Sequence, residues 1–458
     1  MRARSISLQP MDLKTPAESV LKRAVRNAGK LLSGKVGAGL MQLGTFALAA
    51  RALGASEFGL FSVLIAQVML FAGLASFESS QAIIRYGVPH LNDLNKRAAQ
   101  SLFKAGMLLD LGAAALAALA MVAAAPLLAN WIGWNERLVH LAQAIAPLTF
   151  AGAIGTSKGM LRLFDRYDLL SWHALVTPGA RLLMIAVCAA LDLSLGFYLA
   201  AWVVAGWLGM LAAAFLGWRE AHRRDMLTGM TGSLRNLAHD QPGMWRFALF
   251  ANLNASVGLV PSHLATLVVA AILGTESAGA YRIAREVAAG LLKPVDLVNQ
   301  AIYPDLARLV LARNWSGLWR TAARGGMNAA IIFSVITAFI ALVGHALLTG
   351  IFGPEIAVAA PLLIAIGVAT TIKVTAFAAE PVLYAVGRPD VLFALSLVTG
   401  ALFVGILFWR LPIDGLSGAG WSFIGMDGVF ALLSALIAIH IVRRRAAEVS
   451  ESNLQEMS

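Results

Sequence analysis

The chain has 458 residues, 59% hydrophobic and only 13% charged, with a mean hydropathy of +0.74 and a formal net charge of +11. A soluble domain of this length needs far more charge on its surface, so the composition points to an integral membrane protein and leaves no room for a soluble domain. The single cysteine, Cys188, excludes an internal disulfide and reads as a small apolar residue filling space in a helix.

The first twenty residues, MRARSISLQPMDLKTPAESV, lack the apolar core of a cleavable signal. Residues 21–32 are basic and amphipathic, and are expected to lie along the membrane surface ahead of the first span. Twelve apolar stretches follow, each close to the roughly 20 residues that cross a bilayer. They centre near Leu43, Met69, Ala117, Pro147, Met184, Ala205, Val260, Ala289, Val335, Ile366, Thr399 and Leu432. The expected protein is therefore all-α, with about twelve transmembrane helices.

Between the first and second spans the chain reads LGASEFGLF, from Leu53 to Phe61, and 220 positions later it reads LGTESAGAY, from Leu273 to Tyr281. A second echo, Gln81-Ala82-Ile83-Ile84 against Gln300-Ala301-Ile302-Tyr303, keeps the offset to within one residue. The longest polar stretch between spans, from Arg219 to Arg246, separates six spans from six. An even number of spans per half gives parallel repeats about an axis along the membrane normal, with a central cavity between them, the design of a transporter. The expected organisation is a cytoplasmic N-terminus over 1–30, lobes over 31–218 and 246–442, a linker over 219–245 and a tail over 443–458. Prolines in or at the ends of spans, among them Pro147, Pro178, Pro261, Pro294, Pro361 and Pro381, can bend helices by removing a backbone hydrogen bond.

Charge sets the orientation. With a cytoplasmic N-terminus, twenty-eight of the 36 Lys and Arg fall at or near cytoplasmic segments and three (Arg51, Arg137 and Arg410) on the other side. The opposite orientation inverts the positive-inside rule. Both termini are therefore expected in the cytoplasm, and the basic loops read as leaflet anchors, not as a nucleic-acid surface.

Five basic residues remain inside spans: Arg181, Arg282, Arg285, Lys293 and Lys373. A charge near the bilayer centre costs about 2.5–3.5 kcal/mol even on insertion scales, so these side chains should face a wet cavity or a partner. Arg282 lies near enough to the outer end of its span to snorkel, whereas Lys293 and Lys373 read as too deep. Arg282 and Arg285 share a helix face. Interior acids are Asp110, Glu286, Asp296 and Glu380, with Glu78 and Asp427 as further candidates. Some of these can pair with the cations, Asp296 with Lys293 in particular. The functional alternative is a cavity lined by Arg and Lys that attracts an anion, Arg matching phosphate in a bidentate way. The acids Asp110, Glu286, Asp296 and Glu380 are candidates for ion coupling. His263 in the seventh span is expected to hydrogen-bond a neighbouring helix. No metal cluster, nucleotide loop or hydrolase motif is present, and no cofactor is expected.

The basic stretch Asn27-Ala28-Gly29-Lys30-Leu31-Leu32, the Gly-rich first span and Arg51-Ala52-Leu53-Gly54 with Glu57-Phe58-Gly59-Leu60 resemble the bacterial polysaccharide flippases of the multidrug/oligosaccharidyl-lipid/polysaccharide exporter superfamily. The second half agrees through Leu273-Gly274, Ala278-Gly279-Ala280-Tyr281-Arg282 and Pro304. The resemblance covers essentially the whole chain. It implies movement of undecaprenyl-pyrophosphate-linked oligosaccharide across the bacterial inner membrane, for O-antigen, capsule or exopolysaccharide, alongside a polysaccharide polymerase and other assembly proteins. Members of this family often carry an acidic or amide residue midway along the seventh span, where this chain has His263. A cation-coupled drug exporter of the same superfamily is the alternative, weakened because no Asp or Glu occurs from Leu31 to Ala50. A membrane polymerase or ligase fits less well, because the outward connections are short.

Overall fold

A computed structural model describes residues 17–77, 79–92, 95–227, 244–290, 309, 315–376, 379–385 and 388–456, and every regular element among them is helical. In hydrocarbon each backbone N–H and C=O must find its partner within the segment, and a helix meets that demand alone. In chain order the helices are α1 Ala17–Leu74, α2 Ser79–Asn92, α3 Lys96–Ile132, α4 Glu136–Ala144, α5 Gly155–Leu163, α6 Tyr167–Ala190, α7 Leu195–Arg223, α8 Met244–Val257 and α9 Ala265–Leu273. Next come α10 over 275–290, α11 Trp315–Phe352, α12 Ala360–Thr375, α13 Ala379–Ala385, α14 Pro389–Asp414 and α15 Leu416–Glu456. Two of the span prolines sit where the helix changes type: Pro147 in a 3-10 turn over Ala146–Gly152 and Pro261 in a π-helical turn over Val260–Leu264.

Ten stretches are long and apolar enough to cross a membrane. The first, Leu31–His90, contains two crossings, because α1 bends at Gly54. With α10, which reaches the edge of the described residues, all twelve expected centres fall on helical segments. The helix starts at Ala17, so the basic segment 21–32 is continuous in its backbone with the first span.

Gly54 has φ 70° and ψ 172°, and Gly274 has φ 88° and ψ 166°. Side-chain-bearing residues essentially never adopt this region, which explains glycine at both places. The two turns are thus the same structure, as their sequences suggest. Asparagines start other helices: the side chains of Asn95 and Asn135 accept from the backbone N–H of Ala98 and Leu138 at 3.2 and 3.0 Å.

Packing divides the chain into two compact units: Met1–Leu53 with Gln67–Ser256, and Gly54–Ala66 with Val257–Ser458. Residues 54–66, which follow the first turn, therefore pack with the second unit. The first unit buries Phe46, Tyr198 and Trp202 completely, with the Phe46 and Trp202 rings 5.6 Å apart. A second core there gathers Ile83, Leu102, Phe103 and Met160. The second unit buries Leu318, Val382 and Leu383 among α11, α13 and α14.

Candidate functional site

The second unit holds the densest set of intramembrane charges. Its centre is the π-helical turn Val260–Leu264 facing α10. A π turn inserts one extra residue, which breaks the regular hydrogen-bond ladder and often marks a functional position. Two consecutive residues of α10 bind to it. The Tyr281 hydroxyl donates to the Pro261 carbonyl at 2.6 Å, and Arg282 Nη1 lies 3.2 Å from His263 Nδ1. Tyr281 is completely buried and Arg282 nearly so. Arg282 therefore turns inward and does not snorkel. One turn on, Glu286 approaches the Arg282 guanidinium at 3.9 Å, the outer edge of ion-pair distance.

Arg285 differs from its neighbour. Its guanidinium lies 5.4 Å from the centre of the Phe423 ring, a cation–π geometry. Its Nε is buried without a hydrogen-bond partner, and it forms no ion pair among the described residues. Phe423 is fixed edge-on against Phe403 at 5.0 Å and stacked with Tyr281 at 6.4 Å. Tyr281, Phe403 and Phe423 thus form an aromatic wall beside the Arg285 guanidinium.

Lys373 lies in the last turn of α12, which ends at Thr375. It is nearer a helix end than its sequence position suggests, and its side chain is 48% exposed. Its ammonium sits 3.7 Å from Asp427 and 5.3 Å from the Phe430 ring centre. Asp427 also feels Arg285 and Glu380. The expectation of a bare cationic cavity is thereby narrowed: among the described residues Arg282 and Lys373 stand within ion-pair distance of a carboxylate, whereas Arg285 acts on Asp427 only from farther off. Glu380, on α13, makes no ion pair among the described residues. Lys293, Asp296, Glu78 and Pro294 lie outside the described residues, as does the echo at 300–303.

Arg181 and Asp110 belong to the first unit. Arg181 lies over the Trp202 ring at 4.1 Å. Asp110 is buried on α3, accepts a short hydrogen bond from the Ser79 hydroxyl and accepts from the Thr156 backbone N–H at 2.7 Å. A Cβ on Gly155 would collide with the Ser79 hydroxyl, so glycine there lets the three helices meet. One carboxylate thus ties α3 to the starts of α2 and α5. At the ends of α6 and α7 a polar network joins Arg166 to Asp168 at 2.9 Å and to Glu220, with Arg224 at 3.3 Å from the same Glu220. Hydrogen bonding to Asp168 holds the Arg166 guanidinium above its usual value.

Sequence reasoning missed the aromatic partners Phe403, Phe423, Phe430 and Trp202, since nothing in their local pattern separates them from core residues. It also missed Glu355, whose carboxylate accepts from the Ala55 backbone N–H at 2.8 Å across 300 positions. No group of three or more His, Cys, Asp or Glu suited to a metal occurs among the described residues.

Comparison with known proteins gives concordant results. A family profile described as "Polysaccharide biosynthesis protein" matches residues 24–310. The Inner membrane protein YghQ of Escherichia coli (strain K12) is 24% identical over 337 residues, 74% of this chain and 94% of that protein. Among solved structures, the inward-facing conformation of a multidrug resistance MATE family transporter of the MOP superfamily superposes with a TM-score of 0.71 at 17% identity, covering 96% of this chain and 97% of its own. Its outward-facing conformation gives 0.63 at 17%, covering 94% and 96%. A MOP superfamily transporter from Pyrococcus furiosus, reported as having a binding pocket of reverse polarity, gives 0.64 at 15%, covering 94% and 96%. These likenesses establish the fold, two repeats of six helices.

Proposed function

The chain belongs to the polysaccharide biosynthesis protein family, and from that premise we propose that it flips an undecaprenyl-pyrophosphate-linked oligosaccharide from the inner to the outer leaflet of the inner membrane. At the coarser level it is a multi-pass membrane transporter of the MOP superfamily. The substrate's pyrophosphate supplies the anion, its sugars the bulk and its isoprenoid the lipid anchor. Alternating access about the site moves the head group, and no bond is made or broken, so the protein is not an enzyme. The product feeds a polysaccharide polymerase and other assembly proteins. Both termini face the cytoplasm, as the distribution of Lys and Arg suggests.

One observation carries this reading: Arg285 is held over Phe423 with no ion pair among the described residues, next to an Arg282 that contacts the His263 imidazole. A guanidinium inside a membrane with no carboxylate at contact distance is stabilised further by binding an anion. Within the second unit, Arg282 and Lys373 extend the substrate path. Asp110 is occupied by two hydrogen bonds and Asp427 by Lys373, so among the described acids ion coupling falls to Glu380 and Glu286; the candidate Asp296 lies outside the described residues. Drug export by the same fold would need a carboxylate free to trade a cation for a drug. The two buried acids of the first unit among the described residues are instead engaged, Asp110 between helices and Glu220 with Arg166.

The test is genetic. Deleting the gene should leave a pyrophosphate-linked glycan accumulated on the inner leaflet, and lipid extraction detects it. The wild-type gene should clear the glycan and an Arg285→Ala gene should not. A deletion strain with unchanged lipid-linked glycans and intact surface polysaccharide contradicts the proposal.

A further inference from the structure

We propose that His263 is a positioning residue that aims Arg282 while leaving its positive charge intact, and so sets the site's preference for an anion. The inference rests on the anion-binding reading above and specifies how that site keeps its polarity.

A guanidinium carries five N–H donors and no acceptor. The contact between Arg282 Nη1 and His263 Nδ1 at 3.2 Å therefore requires Nδ1 to accept, which fixes a neutral imidazole with its hydrogen on Nε2. A carboxylate in the same place would make the same hydrogen bond and cancel the charge it holds. An aliphatic side chain would remove the acceptor that His263 supplies from the π turn. The imidazole alone among these supplies an acceptor and no charge.

The surroundings make the choice matter. The charged groups facing this contact are Glu286 and Arg285, and Arg285 in turn feels Asp427 on α15. Glu286 stands 3.9 Å from Arg282 and screens it only in part. A second carboxylate at 3 Å would complete the neutralisation. The geometry is held independently of the charge, because Tyr281, one residue before Arg282, donates to Pro261 at 2.6 Å in the same π turn. Substitution at 263 can thus alter polarity without releasing α10.

The experiment uses the full-length protein purified in detergent, titrated with undecaprenyl pyrophosphate and with uncharged undecaprenol. Wild type should bind the pyrophosphate at least tenfold more tightly. If it does not discriminate, the anion-binding reading fails and the His263 inference falls with it. Given discrimination, His263→Glu should lose about tenfold of it, the scale of one charge-assisted contact. His263→Gln, whose amide oxygen accepts without charge, should recover most of it. Glu286→Gln added to His263→Glu should restore discrimination by restoring the charge count. Equal discrimination by wild type and His263→Glu, or an equal loss in the Gln and Glu variants, overturns the inference and reduces His263 to a packing residue.

Discussion

Gly59 and Gly279 occupy the same place in two turns 220 positions apart, and they lie against each other: a Cβ built on Gly279 would stand 3.1 Å from the Gly59 Cα. A Cβ on Gly59 would meet the Thr275 carbonyl carbon at 2.5 Å. The repeat is therefore also a contact, made where backbone meets backbone and no side chain can move aside.

Gly59→Ala should lower stability by about 1–3 kcal/mol, the range for overpacking a filled site. Gly112, in the interior of α3 with nothing within 4 Å of its would-be Cβ, is the control. Gly112→Ala should be neutral or stabilising by up to ~1 kcal/mol. Thermal unfolding in detergent measures both, and an unchanged midpoint for Gly59→Ala contradicts the packing.

Gly54 and Gly274 make a different case, since nothing crowds a Cβ at either. Their requirement is the positive φ. Gly54→Ala and Gly274→Ala should each cost about 1–3 kcal/mol through backbone strain alone. Two similar losses in the same assay would show that the turns are energetically as well as geometrically equivalent.

The turns were legible in the sequence because glycine at a fixed spacing leaves a local mark. So were the twelve spans, since lipid imposes a composition on any chain that crosses it. The site was only half legible. A buried Arg or Lys announces itself by its cost, which is how Arg282, Arg285 and Lys373 were found. Their partners do not: Phe423 reads like any core aromatic, and Asp427 pairs with Lys373 across 54 positions with no spacing rule to join them. Lys373 read as deep because its apolar stretch is continuous, whereas α12 ends two residues after it.

Asp110 should behave as a structural tie. Asp110→Leu strands the Thr156 N–H and the Ser79 hydroxyl, at a cost of about 1–3 kcal/mol for each buried group left unpaired. Asp110→Asn keeps an acceptor and should cost less than half as much. The measurement is again the unfolding midpoint, with transport assayed in parallel. A stable Asp110→Asn protein with no transport would move Asp110 from tie to coupling residue.

The Lys373–Asp427 pair lends itself to a double-mutant cycle. Lys373→Met leaves the nearly buried Asp427 charge uncompensated and should destabilise more than Lys373→Met combined with Asp427→Asn. A coupling of about 1 kcal/mol or more is expected, limited because the Lys373 side chain is half exposed. Additive single effects would mean that the two charges do not interact.

The most direct test of the central claim is flipping by the purified protein in liposomes, with a fluorescent undecaprenyl-pyrophosphate-linked oligosaccharide read out by accessibility to an external quencher or hydrolase. Wild type should move the lipid across the bilayer. Arg285→Lys should be slowed and Arg285→Ala slowed by tenfold or more, the scale of one lost charge-assisted contact. Wild-type liposomes that flip no faster than empty ones, or Arg285→Ala that flips at the wild-type rate, would contradict the account.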